Sequence, residues 1–506
     1  MLLIITLIFA SVGYVLFSYH KTRQKLLNIR SHFDGPHSNY LLGTMPMFYG
    51  KSIPDIFEII TNLHNIHGED IAILAAFNEL VLDLSSAKNV EKVLMAKSVQ
   101  KSFVYDFLQP WLGTGLLISS GTKWFQRRKI ITPTFHFKML ENFLEVFNKE
   151  ADVFVSKLET RAGKDEFDIY DYVTLYALDS ICETSMGVQV HAQDNPNNEY
   201  VSAVKQMSTF FLRRIFSVLR SFPSLFVFYP YAREQKRVIM ALHNFTNSVI
   251  DSRSRMLKEE NATNKVAFDL QEENLYSKRK MTFLDLLLNV TVDGKQLSRE
   301  DIREEVDTFM FEGHDTTTSG ISFTIYYLAL YQDVQQRLYE EIDRILGKGK
   351  ATTMLSNVQI QEFEYLDMVI KESLRLVPPV PIIGRKLVED LEMNGVTIPA
   401  GTSVSIKIYN IHRNPKIWPE PEKFDPERFA KSNEDKRGPY DYIPFSAGSR
   451  NCIGQRYAML EMKVTIIKLL ASYRVLPGES LGKMRFKTDL VIRPNDGIPI
   501  KLVQRG

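Results

Sequence analysis

Phe445-Ser446-Ala447-Gly448-Ser449-Arg450-Asn451-Cys452-Ile453-Gly454 runs directly into an amphipathic stretch, Gln455 to Tyr473, and this junction decides the fold. A cysteine placed just before a helix has its sulfur among free backbone N–H groups at the positive end of the dipole. That setting favours thiolate, the form that ligates metals. Gly448 and Gly454 let the backbone approach a flat ligand closely, and Arg450 supplies a cation for a ligand carboxylate. The other cysteine, Cys182, sits in the helical-looking run Leu178-Asp179-Ser180-Ile181-Cys182, where a small buried hydrophobe is the plain reading. Two cysteines in 506 residues require no disulfide framework and fit a reducing compartment.

Upstream, Ser298 to Tyr331 carries apolar residues at three-and-four spacing, which predicts a helix roughly 50 Å long at 1.5 Å per residue. Ser298 is its N-cap, with Asp301 three residues on. The middle of this helix is polar: Glu312, Asp315 and Thr316 lie at i, i+3 and i+4, a cluster on one face between Phe309-Met310-Phe311 and the apolar run Ile321 to Leu330. A buried polar group must be satisfied or useful. Asp315 and Thr316 are candidates for organising water and passing protons, whereas Glu312 has no cation near it in sequence and is costly if charged. Gly313 and Gly320 thin the helix and predict a local bulge.

The remaining pattern is mostly helical, over Phe143 to Leu158, Ser202 to Ser221 and Glu234 to Lys258. Strand-like stretches occur at Ile71 to Leu84 and Gly384 to Ile408, the second punctuated by Gly395, Pro399 and Gly401. The fold class expected is therefore mainly α with a small β region. Polar Glu259 to Lys280 reads as a mobile surface loop. After Pro415 comes a proline-rich meander from Trp418-Pro419-Glu420-Pro421 to Pro439, and long ordered meanders usually wrap something functional.

Composition is that of an ordinary globular protein, 44% hydrophobic and 24% charged, and a net charge of +2 gives no field that would recruit nucleic acid. Residues 1 to 19 carry no charge, and Lys21, Arg23, Lys25 and Arg30 follow. A signal peptide would have its bases first and a transit peptide would be Arg-rich from the start, so the segment reads as an uncleaved transmembrane anchor with the body in the cytosol. The division expected is an anchor over 1–20, a linker over 21–50 containing Gly35-Pro36, Gly43 and Pro46, and a body over 51–506.

The cysteine loop resembles, at every fixed position, the heme-binding loop Phe-x-x-Gly-x-Arg-x-Cys-x-Gly of the cytochrome P450 superfamily. Three further motifs accompany it. Glu372-Ser373-Leu374-Arg375, with Arg428 in Pro426-Glu427-Arg428-Phe429, resembles the family's Glu-Arg-Arg interaction, which implies a structural lock on the meander. Taken alone, that spacing is as readily a solvated surface pair. Trp124-Phe125-Gln126-Arg127-Arg128 resembles its Trp-x-x-x-Arg helix, and Arg385 matches the arginine after the ion-pair helix. Trp124, Arg128, Arg385 and Arg450 are thereby implied to meet the two heme propionates, with Phe445 and Gly448 beside the heme and Cys452 as the iron ligand. The run Glu305 to Thr317 is similar to the signature helix of family 4.

That resemblance covers essentially everything from residue 35 onward. It implies a cytochrome P450 fold with an N-terminal transmembrane anchor helix, in the endoplasmic reticulum membrane, and a cofactor of heme b (iron protoporphyrin IX) that Glu312 could esterify. It implies monooxygenation of fatty acids or other long apolar molecules near a terminus, with Phe311, Ile382 and Ile383 lining the pocket. The chain has no Gly-x-Gly-x-x-Gly nucleotide fingerprint after a strand, so electrons must come from a separate NADPH-cytochrome P450 reductase, with cytochrome b5 a further donor. Lys123, Arg127, Lys129, Arg456 and Lys463 are candidates for its docking face. The one departure is the hinge, where the usual prolines after Pro36 are mostly absent. Two other classes remain open at this point: a heme-thiolate isomerase or dehydratase, whose relatives typically lose the threonine kept here as Thr316, and a heme-based sensor or carrier, which needs no proton relay.

Overall fold

The computed structural model describes residues 2–96, 99–135, 139–264, 281–292, 294–347, 353–434 and 437–505. Its principal helices are α1 (Leu2–Arg30), α2 (Gly121–Ile131), α3 (Leu140–Glu159), α4 (Ile169–Ile181), α5 (Glu199–Ile215), α6 (Ala232–Asn264), α7 (Arg299–Leu330), α8 (Glu364–Leu376) and α9 (Gln455–Ser472). The strands that bear on the site are β1 (Asp70–Ala75), β2 (Glu79–Leu84), β3 (Val99–Gln100), β4 (Ile382–Leu387), β5 (Ser403–Lys407), β6 (Phe486–Thr488) and β7 (Ile492–Pro494).

Helix α7 is the axis of the molecule, buried over most of its length and packed against α4, α6, α8 and α9. Ser298 and Asp301 close a reciprocal capping box at its start, as the sequence predicts. The predicted bulge is absent: α7 is continuous α-helix, and its glycines serve close packing instead. A Cβ on Gly313 would lie 2.6 Å from the Ile181 side chain of α4, and one on Gly320 would lie 2.8 Å from Met462 Sδ of α9. Helix α5 ends at Ile215, short of the predicted Ser221, and the chain continues in short 3-10 turns through the Phe222–Tyr231 aromatic segment. Glu259 to Asn264, expected in a loop, prolong α6; the rest of that interval, 265–280, lies outside the described residues.

One mixed sheet has the order β1-β2-β5-β4-β3, with β2 and β5 parallel (Val81 opposite Ser403) and the other pairs antiparallel. The N-terminal connection packs onto this sheet well before residue 51: Asp34 bridges Ile71, and the Thr44 N–H donates to the Leu74 carbonyl. Helix α1 also runs ten residues past its apolar part. There Arg30 donates to Ser38, Gly35 and Pro36, and buried Arg23 donates to Asn39 and to the Asn78 amide oxygen. These hydrogen bonds tie the helix to the β1–β2 turn without a proline-rich hinge.

The meander is locked from α8. Arg375 grips Glu372 with two bonds of 2.7 and 2.8 Å and spends its other donors on the carbonyls of His412, Pro421 and Lys423. Arg428 approaches the same carboxylate at 3.4 Å, and the Asp425 N–H adds a further bond. Both Glu372 and Arg375 are fully buried, so the surface-pair alternative does not apply.

Candidate active site

Between α7, the β2–β5–β4 face and the cysteine loop lies a mostly apolar cavity of about 470 Å³, within the ordinary range for small-molecule sites. Cys452 shows its surface to this cavity while lying deep in the protein. The Cys452 N–H donates to the Phe445 carbonyl at 2.9 Å, which closes the loop. Burial pushes the thiol up to about 11, aided by Glu312 and opposed by the Gly454 N–H and Arg128. The helix-terminal setting alone therefore does not make a thiolate; a metal would have to draw the proton off. Gly448 does not line the cavity. It stands at φ +71°, and a Cβ there would meet the Leu94 carbonyl at 2.2 Å, so glycine is required here by chain packing.

Six cations line the cavity; Arg220 and Lys407 are paired with Glu79 and Asp83, and the other four stand in no described ion pair. Arg385 is buried with its Nε lacking a hydrogen-bond partner, and Arg450 likewise has an unpartnered Nη1 while its guanidinium lies over the Trp124 ring at 4.0 Å. Burial and two neighbouring arginines bring Arg450 down to about 10. Arg128 lines the same wall but donates to the backbone and side-chain oxygens of Asn451, so its present bonds steady the cysteine loop. The fourth cation, Lys101, went unnoticed in the sequence. It is enclosed in the cavity, above the Tyr105 ring at 4.6 Å, and burial with Arg385 nearby holds it well below the usual lysine range. Only the long-range pairing of β3 with β4 brings it there.

These groups fit a heme. Among the described residues no cluster of three or more His, Cys, Asp or Glu could cage a bare ion, so a metal here would arrive in its own chelate and take one thiolate from the chain. Unpartnered buried guanidinium nitrogens want anions, and two propionates would satisfy them.

On α7, Glu312 and Thr316 both line the cavity, and the Thr316 hydroxyl donates to the Glu312 carbonyl at 2.6 Å. Burial raises Glu312 to about 7 against the pull of Lys101 and Arg128, so this carboxyl does have cations close by, contrary to the expectation from sequence. Asp315 is not on the cavity wall with them. One residue before Thr316 on a 100° turn, it faces β7, where Arg493 holds it at 2.6 Å. Phe311, packed on Trp111 with centroids 4.8 Å apart, lines the cavity together with Ile382 and Ile383.

The expected basic patch is largely spent on internal ion pairs. Lys123 binds Glu304, Arg127 binds Asp301, and Lys463 binds Asp367, which leaves Lys129 and Arg456 exposed.

Comparison with known proteins gives a single direction. A family model described as Cytochrome P450 matches residues 34–502. The chain is 45% identical to mouse Cytochrome P450 4V2 over 83% of this chain and 80% of that protein. It is 40% identical to Cytochrome P450 4d1 of Drosophila melanogaster over the full length of both, and 43% identical to human Cytochrome P450 4V2 over 84% of this chain and 80% of that protein.

Proposed function

The chain belongs to the cytochrome P450 family and is a monooxygenase of the family 4 type; from that premise we propose that it hydroxylates long apolar molecules, fatty acids or related lipids and xenobiotics, at or near a terminal carbon. The observation that carries this reading is the cavity itself, which is mostly apolar, along Leu117, Val380, Ile382 and Leu490 among others, and which Glu312, Thr316 and Cys452 also line. Electrons would come singly from NADPH through a separate reductase, with cytochrome b5 as an additional donor. Helix α1, which contains a stretch long and apolar enough to span a bilayer, would anchor the body (51–506) to the endoplasmic reticulum on its cytosolic side.

Heme bound at Cys452 supplies the binding and reduction of dioxygen. The chain supplies the rest. Arg385, Arg450 and Lys101 would hold the propionates, with Trp124 lining the same cavity. Cys452, steadied through Asn451 by Arg128, is the iron ligand. Thr316 presents a hydroxyl at the wall that can take up and release a proton, and Asp315 is its source. The apolar wall excludes water and aligns a chain end, where C–H bonds are strongest and positioning matters most.

Glu312 enters the same reading as a candidate for an ester to a heme methyl. A buried carboxyl raised to about 7 sits between charged and neutral, and covalent capture would settle it. Purified protein incubated with reductase, NADPH and a mixed lipid panel should yield products bearing one added oxygen near a terminus. Acid–organic denaturation after turnover should leave heme on the polypeptide, and Glu312→Ala should release it. Oxygenation only of compact, non-lipid compounds would sink the substrate class, and complete heme release from the unmutated protein would sink the ester.

A further inference from the structure

Asp315 lies in a buried cluster that a simple Asp315–Thr316 pair does not explain. Arg493 Nη2 donates to Asp315 Oδ2 at 2.6 Å, while its Nε lies 3.8 Å from Asp489 Oδ1 and has no hydrogen-bond partner. Asp489, in the turn between β6 and β7, lines the cavity; Asp315 does not. Tyr170 of α4 reaches the cluster with an unpartnered hydroxyl, His314 and Tyr200 also face Asp315, and Lys487 faces Asp489. Two carboxylates therefore share one largely buried guanidinium. Arg493 is the cation in the described ion pairs of both acids, Lys487 acting on Asp489 through its charge alone, and a second carboxylate left charged there would be costly, which favours a proton held by the pair. Burial and the Asp315 charge push the Asp489 carboxyl up, whereas Arg493, held by two acids, keeps its proton.

We propose that Asp489 is a positioning residue for proton delivery, competing with Asp315 for Arg493 so that a turn of the guanidinium toward Asp489 leaves Asp315 carrying the proton beside Thr316. The exchange balances: an O–H bond breaks on Asp489, one forms on Asp315, Arg493 stays protonated, and the three groups carry no net charge before or after. Asp489 reloads with a proton from water entering the cavity that it lines, and Asp315, released from its ion pair, becomes the donor. This rests on monooxygenase activity and not on the choice of substrate, so any compound that turns over serves for the test.

Asp489→Asn leaves Arg493 to a single acid. Product formed per NADPH should fall about tenfold, with peroxide rising to match, because proton delivery is lost and not binding. The solvent deuterium isotope effect on product formation should grow, and the pH profile of coupling should flatten. Asp489→Glu should recover most of the coupling. The reduced carbon monoxide spectrum should be that of the unmutated protein. Before any turnover, the infrared difference between resting wild type and Asp489→Asn should show the loss of one protonated carboxyl stretch. Wild-type coupling with that stretch intact would overturn the proposal, and so would a loss of coupling that leaves the pH profile and isotope effect unmoved, which marks a residue of structure only.

Discussion

The Glu372 network, which locks the meander, and the middle of α7 both bury charge, but in opposite ways. Around Glu372 every carboxylate oxygen has a partner: Arg375 twice, the Asp425 N–H, and Arg428 behind. Around Thr316 the charges are shared or raised: Asp315 and Asp489 divide one arginine, and Glu312 stands near 7. A saturated network has one arrangement and holds a ligand still, whereas an under-saturated one has several within reach and can move a proton. The Glu372 network is built as a scaffold, whereas the groups around Thr316 leave more than one arrangement open, as the proposed proton delivery requires.

The widest effect should come from breaking the scaffold. Glu372→Ala strands Arg375 and Arg428 without their acid, and removing one partner of a buried pair costs roughly 3–5 kcal/mol. Thermal unfolding should fall accordingly, with little heme retained on purification. A variant of near wild-type stability would show the meander to be held by packing alone.

In the middle of α7, Thr316→Ala removes a hydroxyl and no charge pair. Stability should change by less than about 1 kcal/mol, while NADPH consumption continues and oxygen is diverted to peroxide. Unchanged coupling would reduce Thr316 to a residue whose hydroxyl caps the Glu312 carbonyl.

A smaller effect separates the two regions by pH. Glu305, buried near the start of α7 and accepting the Leu116 N–H at 2.9 Å, is raised to about 7, chiefly by burial. Its folded form keeps a proton that the unfolded chain releases near the ordinary glutamate value, so the native state binds more protons between about 4.5 and 7. Its contribution to stability is thus full at the acid end and lost as pH rises through that window. Denaturant titrations should show the slope, and Glu305→Gln should remove part of it; an identical slope in the variant would mean that other buried acids carry the effect.

The same division explains what the sequence revealed. The cysteine loop, the capping box at Ser298 and the Glu-x-x-Arg pair are local, so residue type and spacing suffice to find them. The direction of Asp315 is not local, because a helical position gains meaning only from what packs against it, here a strand some 180 residues on. Lys101 was missed for the same reason, standing in no motif and reaching the cavity through strand pairing. The glycines of α7 stand out in the sequence but their packing partners do not, since what a missing Cβ admits depends on the neighbour, here the side chains of Ile181 and Met462. Lys123, Arg127 and Lys463 resembled a docking face only while the acids that pair with them were out of view.

The central claim, that Cys452 is the heme ligand on which this monooxygenase depends, is tested most directly by the carbon monoxide spectrum of the reduced protein. Wild type should show the red-shifted Soret band of thiolate-ligated heme, and Cys452→Ala should lose that band, through lost heme or a changed ligand. A wild-type spectrum in Cys452→Ala, or a band in the unmutated protein without the red shift, would contradict the account.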